Sequence, residues 1–192
     1  MPRTVHTKID KAVVLQAAVD LLNTEGAHAL TLSHLAEQLG IQTPSLYNYV
    51  DGLTALQKEL AVVNAKLLAD RLGEAAIGLS GAALCIEVAL AFRGYVKEYP
   101  GLYMSTLRSS RKQPVLDPNL QHKDARVMKV GMAVMTSLGL QDEAAIHGLR
   151  VFRTVVHGFA TLEVAGGFGL PQDCDESFRR LILALVAGLQ QD

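Results

Sequence analysis

The segment that most constrains the fold is residues 31–50, which read TLSHLAEQLGIQTPSLYNYV. Two short stretches with helical spacing are separated there by Gly40. Glycine readily takes the left-handed backbone conformation that ends a helix and reverses the chain. Pro44 suits the first turn of a following helix, and Thr43 is its predicted cap. The segment therefore predicts a helix over 32–39, a tight turn, and a second short helix over 44–50.

The rest of the chain has the same helical character. Apolar residues recur at spacings of three and four almost everywhere, so the predicted fold class is all-α. Further helices are predicted over 10–25, 53–77, 82–98, 101–107, 119–138, 142–165 and 175–190, with loop composition over 108–118. The predicted organisation is an N-terminal three-helix domain over 1–52, followed by a larger helical domain over 53–192.

Composition narrows the class of protein. Of the 192 residues, 49% are apolar and only 19% are charged, which is more apolar surface than a monomer of this size hides easily. A buried interface between subunits is therefore expected. The sequence shows neither a long apolar run nor an apolar leader, so we expect a cytoplasmic protein with no membrane segment. Cys85 and Cys174 are too far apart in sequence for a disulfide framework in that compartment.

Patterns that indicate catalysis are scarce. The sequence contains no Gly-rich phosphate loop, no His-Glu-x-x-His and no cysteine cluster with zinc spacing. Its six histidines are scattered along the chain. We therefore expect no enzyme activity, no cofactor and no metal.

Two short helices joined by a tight turn are typical of the helix-turn-helix, whose second helix enters the DNA major groove. Asparagine bonds adenine with two contacts, serine and threonine reach bases or phosphates, and a helix start presents backbone amides to a phosphate. The candidate DNA-binding residues are Thr31, His34, Gln42, Thr43, Pro44, Ser45, Tyr47, Asn48 and Tyr49.

Charge gives this interpretation little help. The net charge is −1, and residues 1–52 hold three basic and five acidic side chains. DNA binding must then depend on a local patch and on uncharged donors. The alternative is an all-α small-molecule-binding or interaction protein without DNA binding.

The order of the helices and the residues Leu46-Tyr47 and Tyr49-Val50 resemble the Leu-Tyr-x-x-Phe/Val signature of TetR-family transcription regulators. Downstream, Val156-His157-Gly158 resembles the motif of a Trp-His-Gly subgroup, with Val156 in place of the tryptophan. The resemblance implies a homodimer that represses transcription from a palindromic operator and is released by a small-molecule effector. It also implies that Tyr47 bonds a phosphate, that Tyr49 lies nearer the packed side, and that the last two helices pair with those of a second copy.

The helix predicted over 142–165 is apolar on almost every side. Such a helix is buried on both sides, so one side meets its own core and the other a second subunit. Core packing within one monomer is the alternative. The predicted dimer-interface residues are Val151, Val155, Gly158, Leu162, Leu181, Leu185 and Leu189.

The larger domain also carries polar side chains on apolar helices. Arg93 is predicted to point inward, where either Glu163 or an anionic effector would be its partner. His157 is either a hydrogen-bonded structural residue or a ligand contact, and the methionines at 128, 132 and 135 line either a core or an adaptable pocket. The predicted effector-pocket residues are Phe92, Arg93, Tyr95, Tyr103, Met104, Met128, Met132, Arg150, Phe152 and His157.

Overall fold

The computed structural model describes residues 9–109 and 118–190, with side chains described for 9–107 and 125–190. Within those ranges the chain forms nine helices and no strand, which confirms the all-α class. The helices are α1 (Lys11–Glu25), α2 (Leu32–Gln38), α3 (Thr43–Leu46), α4 (Leu53–Ala75), α5 (Gly81–Glu98), α6 (Pro100–Ser109), α7 (Pro118–Ser137), α8 (Asp142–Val164) and α9 (Cys174–Leu189). Most of the loop predicted over 108–118 lies outside the described residues. In none of the described helices do length and hydropathy suffice to cross a membrane.

The chain divides into two compact units. The first comprises the described residues of Met1–Val63 and Gly101–Pro114, and the second those of Asn64–Pro100 and Val115–Asp192. The division falls inside α4, and all of α6 except its first residue belongs to the first unit. The functional boundary proposed at residue 52 lies upstream of this division and stays a prediction.

Local signals placed most helix ends correctly. Asp10 caps α1 by accepting a hydrogen bond from the Val13 N–H (3.0 Å), and Gly26 follows the helix with φ 87°. The predicted cap at Thr43 is wrong. Gln42 is the N-cap of α3 and makes no side-chain cap bond, and Thr43 is the first helical residue. Pro44 has no N–H to satisfy, so this helix start needs less capping.

The predicted length of the second short helix is also wrong. α3 ends at Leu46, and the next three N–H groups bond carbonyls three residues back, as in Asn48 N–H to Ser45 O (3.3 Å). Such tightening to i→i−3 bonds is frequent at helix ends and leaves no signature in the sequence.

Each unit has its own apolar core. In the first unit α1 contributes a buried stripe, and leucines from α2, α3 and α4 complete the core: Val14, Ala18, Leu22, Leu35, Leu46, Leu56 and Leu60. In the second unit α5 packs against α7, α8 and α9. Its core includes Val88, Phe92, Val96, Phe152, Val156, Phe178 and Ile182. The position of α5 therefore constrains three other helices.

The start of α6 lies directly against the end of α1. The Leu102 N–H donates to Asn23 Oδ1 (3.0 Å), and a Cβ added at Gly101 would overlap the carbonyl oxygen of Leu22. That oxygen belongs to the backbone, so it cannot move aside cheaply. Close approach of two backbones is the physical reason for glycine here.

We expect Gly101→Ala to lower the free energy of unfolding by about 3 kcal/mol, since the added methyl forces α6 away from α1. Urea unfolding followed by circular dichroism measures the change. Gly73→Ala in α4 is the matched control, because its Cβ would meet no atom within 4 Å. The control should be neutral or stabilising by up to about 1 kcal/mol. Equal stabilities for the two variants would contradict the close contact.

Candidate functional site

The turn between α2 and α3 is fixed by backbone hydrogen bonds. Gly40 has φ 66°, its N–H donates to Glu37 O, and the Ile41 N–H donates to Ala36 O, each at 3.0 Å. These two bonds are the Schellman arrangement that closes a helix through a left-handed residue. The predicted role of Gly40 is confirmed. A Cβ there would meet nothing within 4 Å, so conformation and not space favours glycine.

Buried residues set which face of α3 meets solvent. Leu35 of α2 and Leu46 of α3 are fully buried, and Val50 is nearly so. The opposite side carries the exposed residues Gln42, Pro44, Tyr47 and Asn48, which we call the recognition surface. Thr43, Ser45 and Tyr49 are half-buried at its edge. Tyr47 is 59% exposed, whereas Tyr49 is half-buried. This difference agrees with the resemblance, which implies that Tyr49 lies nearer the packed side.

Thr31 and His34 lie at the start of α2. Thr31 Oγ1 accepts a hydrogen bond from the His34 N–H (3.1 Å), so Thr31 caps α2. His34 Nε2 lies 3.6 Å from Glu25 Oε1. The Glu25 carboxylate therefore competes with any phosphate for His34.

The recognition surface has little positive charge behind it. Residues 9–63 contain six acidic and two basic side chains. One of the two cations, Lys11, is paired with Glu59 (2.9 Å). Lys58 remains, on the exposed side of α4. The donors that the described residues offer at this surface are therefore mainly hydroxyl, amide and backbone groups.

The second unit contains an ion cluster around the buried side chain of Arg93 of α5. Its Nε donates to Glu163 Oε2 (2.6 Å), and its Nη2 donates to Glu163 Oε1 (2.6 Å) and to Asp175 Oδ1 (2.7 Å). Lys97 Nζ adds a fourth bond, to Glu163 Oε1 (2.8 Å). We call these four residues the Arg93 cluster. Arg93 points inward, as predicted, and Glu163, one of the two partners that the sequence left open, bonds it.

Aromatic rings cover the guanidinium of Arg93. Its Cζ lies 5.0 Å from the ring centroid of Phe178 and 5.6 Å from that of Phe159, within the range of cation–π attraction. The Phe159 ring lies in turn 4.7 Å from that of Phe168. The hydrogen bonds from Arg93 hold the pKa of Glu163 below its ordinary value of 4.5 despite partial burial. The carboxylates likewise raise the pKa of Arg93, so both groups are charged at neutral pH.

Comparison with known proteins identifies the family. A family model described as "Bacterial regulatory proteins, tetR family" matches residues 14–52. A second, described as "Tetracyclin repressor-like, C-terminal domain", matches residues 85–185, more than half of the chain. The chain belongs to the TetR family. It is therefore a DNA-binding transcription regulator with a helix-turn-helix, although the Trp-His-Gly subgroup stays a prediction.

Full-length relatives agree with this assignment. An HTH-type transcriptional regulator of Mycobacterium tuberculosis is 29% identical over 184 residues, covering 96% of this chain and 83% of that regulator. The crystal structure of a TetR variant from Acinetobacter baumannii in complex with minocycline has a TM-score of 0.68 at 25% identity, covering 96% and 98% of the two chains. A crystal structure of BioQ with its double-stranded DNA operator has a TM-score of 0.68 at 19% identity, covering 96% and 100%. At that identity the BioQ likeness shows the fold.

The residues that we predicted for a TetR-type effector pocket differ in their surroundings. Phe92, Arg93, Tyr95 and Phe152 are buried in the second unit. Met132 and His157 are half-buried there, whereas Arg150 and Met128 (53% exposed) lie at its surface. Tyr103, which is buried, and Met104, which is exposed, belong to the first unit. A common pocket for these residues stays a prediction.

Two threonines of α8 bond the backbone of their own helix. Thr154 Oγ1 donates to Arg150 O (2.8 Å), and Thr161 Oγ1 donates to His157 O (2.7 Å). Such back-bonding satisfies the hydroxyls within the helix. Partial burial, helped by nearby Arg153, lowers the pKa of His157 below 6.5, so the imidazole is neutral at pH 7.

Sequence reasoning missed three polar or aromatic contributors to the second unit. Asp175 is an acidic residue in the first turn of α9, and Phe178 is a buried apolar residue of the same helix. Asn64 is a polar residue on the otherwise apolar face of α4, and this was a usable signal. Its Oδ1 accepts the hydroxyl hydrogen bond of buried Tyr95 (2.6 Å).

Both cysteines are free, as predicted. Cys85 is fully buried, and burial raises the pKa of its thiol to about 11. A thiol that stays protonated at neutral pH is a poor nucleophile, so Cys85 is a packing residue.

Glu163→Gln should lower the free energy of unfolding at pH 7 by about 2–3 kcal/mol, because it removes the charge that compensates buried Arg93. The folded-state pKa of Glu163 lies below 4.5. Its stabilising contribution is therefore complete above pH 4.5 and is lost as the pH falls through the folded-state pKa. The gap between wild type and variant should close over that range.

Urea unfolding at pH values from 7 to 3 tests this. Glu143→Gln, on the exposed side of α8, is the control and should change the free energy of unfolding by less than about 0.5 kcal/mol throughout. A gap for Glu163→Gln that is the same at pH 3 and pH 7 would show that the ionised carboxylate is not responsible.

Proposed function

We propose that this TetR-family regulator is a repressor that binds a palindromic operator as a homodimer and is released by a small-molecule effector. The observation that carries the proposal is the recognition surface, four exposed side chains on and beside α3, which the turn at Gly40 and buried Leu35 and Leu46 hold in place. Family membership supplies the regulatory function. Dimerisation, ligand response and the sign of regulation belong to the proposal.

Within the proposal, α3 enters the major groove and the recognition surface contacts the bases. Asn48 is the base-reading candidate, since its amide can donate to and accept from adenine together. Tyr47 bonds a phosphate through its exposed hydroxyl. Thr31 positions the start of α2, whose free backbone amides favour a second phosphate. Together these contacts supply register and sequence preference with few cations.

The apolar faces of α8 and α9 support a homodimer. Val151 and Leu162 of α8 are 47% and 52% exposed, and Val155 and Gly158 between them are half-buried. On α9, the side chains of Leu181 and Leu185 are half-buried. We call these six residues the α8–α9 face. An apolar surface of this kind is typical of a subunit interface.

Leu189 does not belong to this face, contrary to the sequence prediction. It is 8% exposed and packs close to Gly148 within its own unit. The reason is its phase on the helix. Leu189 follows buried Ile182 and Val186 at spacings of seven and three, so it shares their inward stripe.

Repression with release requires two arrangements of the dimer. In one, the two recognition surfaces match successive major grooves about 34 Å apart, and in the other they do not. An effector that binds the second arrangement better shifts the population toward it. Titration of effectors against operator affinity tests this coupling. Compounds that bind tightly yet leave operator affinity unchanged would contradict it.

The combined variant Thr43→Ala and Asn48→Ala should weaken binding to the DNA upstream of the protein's own gene by 10-fold or more, since two base or phosphate donors are lost. Gel-shift titration against specific and scrambled duplexes measures the effect. Gln16→Ala with Thr24→Ala, both exposed on α1, removes the same kinds of side chain away from the surface and serves as the control. Unchanged affinity for the first variant would favour the alternative, a ligand-binding protein without DNA binding.

Val151→Glu with Leu162→Glu should convert the dimer to monomer at micromolar concentration, because four carboxylates would then be buried across the interface. Sedimentation equilibrium reports the mass. Ile77→Glu, at a 77% exposed position between α4 and α5, places a carboxylate at an apolar position outside the face and should leave the dimer intact. A variant that stays dimeric would remove the α8–α9 face from the proposal.

A further inference from the structure

The Arg93 cluster joins the two helices of the proposed interface at one end. Glu163 is the penultimate residue of α8, and Asp175 is the second residue of α9. Both carboxylates bond the same Nη2 of Arg93, at 2.6 and 2.7 Å. One buried side chain of α5 therefore holds the end of α8 and the beginning of α9 together.

The cluster also fixes the rotation of each helix about its own axis. Glu163 follows buried Val156 by seven residues, so it points to the core side of α8, and Leu162 just before it points about 100° away. Asp175 precedes Phe178 and Ile182 by three and seven residues, on the core side of α9. A turn of either helix that moved its leucines of the α8–α9 face would break a bond to Arg93.

Apolar packing alone does not give this constraint, since the hydrophobic effect is non-directional. The guanidinium has a planar fork of donors, and two parallel bonds to one carboxylate specify both distance and orientation. Removal of Arg93 from water carries a large desolvation cost, which the ring faces and carboxylates largely offset. The cluster thus contributes more to orientation than to stability.

We infer that Arg93 is a positioning residue for the subunit interface. Through Glu163 and Asp175 it sets the rotation of α8 and α9, so that the α8–α9 face forms one continuous surface for a second copy of the chain. The inference rests on the proposed homodimer and adds to it the group that determines its geometry. Arg93 itself lies outside the α8–α9 face. It acts on the proposed interface indirectly, by orienting α8 and α9.

The test replaces two residues of the cluster, Arg93 and Glu163, by apolar side chains of similar size. The variant is Arg93→Met with Glu163→Met. Removing both charges leaves no buried ion unpaired, since exposed Asp175 and Lys97 remain solvated, so the variant should fold with full helical content. We expect the subunit dissociation constant, measured by sedimentation velocity over a dilution series, to rise at least 10-fold. Arg71→Met with Glu98→Met removes an exposed pair of the same 2.6 Å length on α4 and α5, and should leave that constant within threefold of wild type.

A second variant, Arg93→Lys, guards against misfolding of the first. It keeps the positive charge but lacks the fork, so the dissociation constant should again rise several-fold with helical content unchanged. If either variant folds and associates as tightly as wild type, the inference about Arg93 is overturned. A wild-type chain that remains monomeric at every concentration overturns the proposed homodimer as well, so the two failures are distinguishable.

Discussion

The second unit depends on the hydrogen bonds between one buried guanidinium and two carboxylates. Arg93 lies on α5, the helix that packs against α7, α8 and α9, and its bonds reach residues on two of those three partners. Leucine and valine side chains tolerate small rotations of a helix, because dispersion contacts re-form after a slight shift. The bidentate pair does not, since the fork loses both bonds when its carboxylate turns away. The hydrogen bonds of this single side chain therefore impose a directional constraint on the relative placement of α5, α8 and α9.

The recognition surface differs from the Arg93 cluster, because backbone hydrogen bonds and apolar packing determine its conformation with almost no contribution from charged side chains. Gly40, the Schellman bonds and buried Leu35 and Leu46 hold α3 in place, while the surrounding residues are mainly acidic or neutral. Each half-site contact supplied by these residues is weak, since phosphate neutralisation normally provides much of the affinity for DNA. Under the proposed function, linking two such surfaces raises affinity through effective concentration, but only when both engage together. Under the proposed function, a recognition surface with little charge thus makes operator affinity depend strongly on how the two subunits are arranged.

Much of this was accessible from sequence, and the failures have physical causes. Helical periodicity and caps predicted every described helix. The place of Arg93 on an apolar helix face predicted that it points inward, with Glu163 as one of two candidate partners. Asp175 escaped notice because an acidic residue in a first helical turn is explained equally well by the helix dipole. The contact of Gly101 with Leu22, and with it the place of α6 in the first unit, is a tertiary contact between residues distant in sequence and has no local signal. The inward orientation of Leu189 was predictable from the sequence, because it follows Ile182 and Val186 at helical spacings of seven and three.

The structure shows one of the two partners that the sequence left open for Arg93, the carboxylate of Glu163. An anionic effector at this side chain would have to displace Glu163 or Asp175 and replace bonds of 2.6–2.7 Å that are already formed. The displaced Glu163 would then be left partly buried near Lys97 alone. The desolvation of that carboxylate costs free energy and would weaken the binding of the ligand. Exchange of one carboxylate for another therefore gains little free energy. Under the proposed function, Arg93 is therefore better suited to hold α8 and α9 than to bind the effector, and selectivity for the ligand would come from side chains outside the cluster.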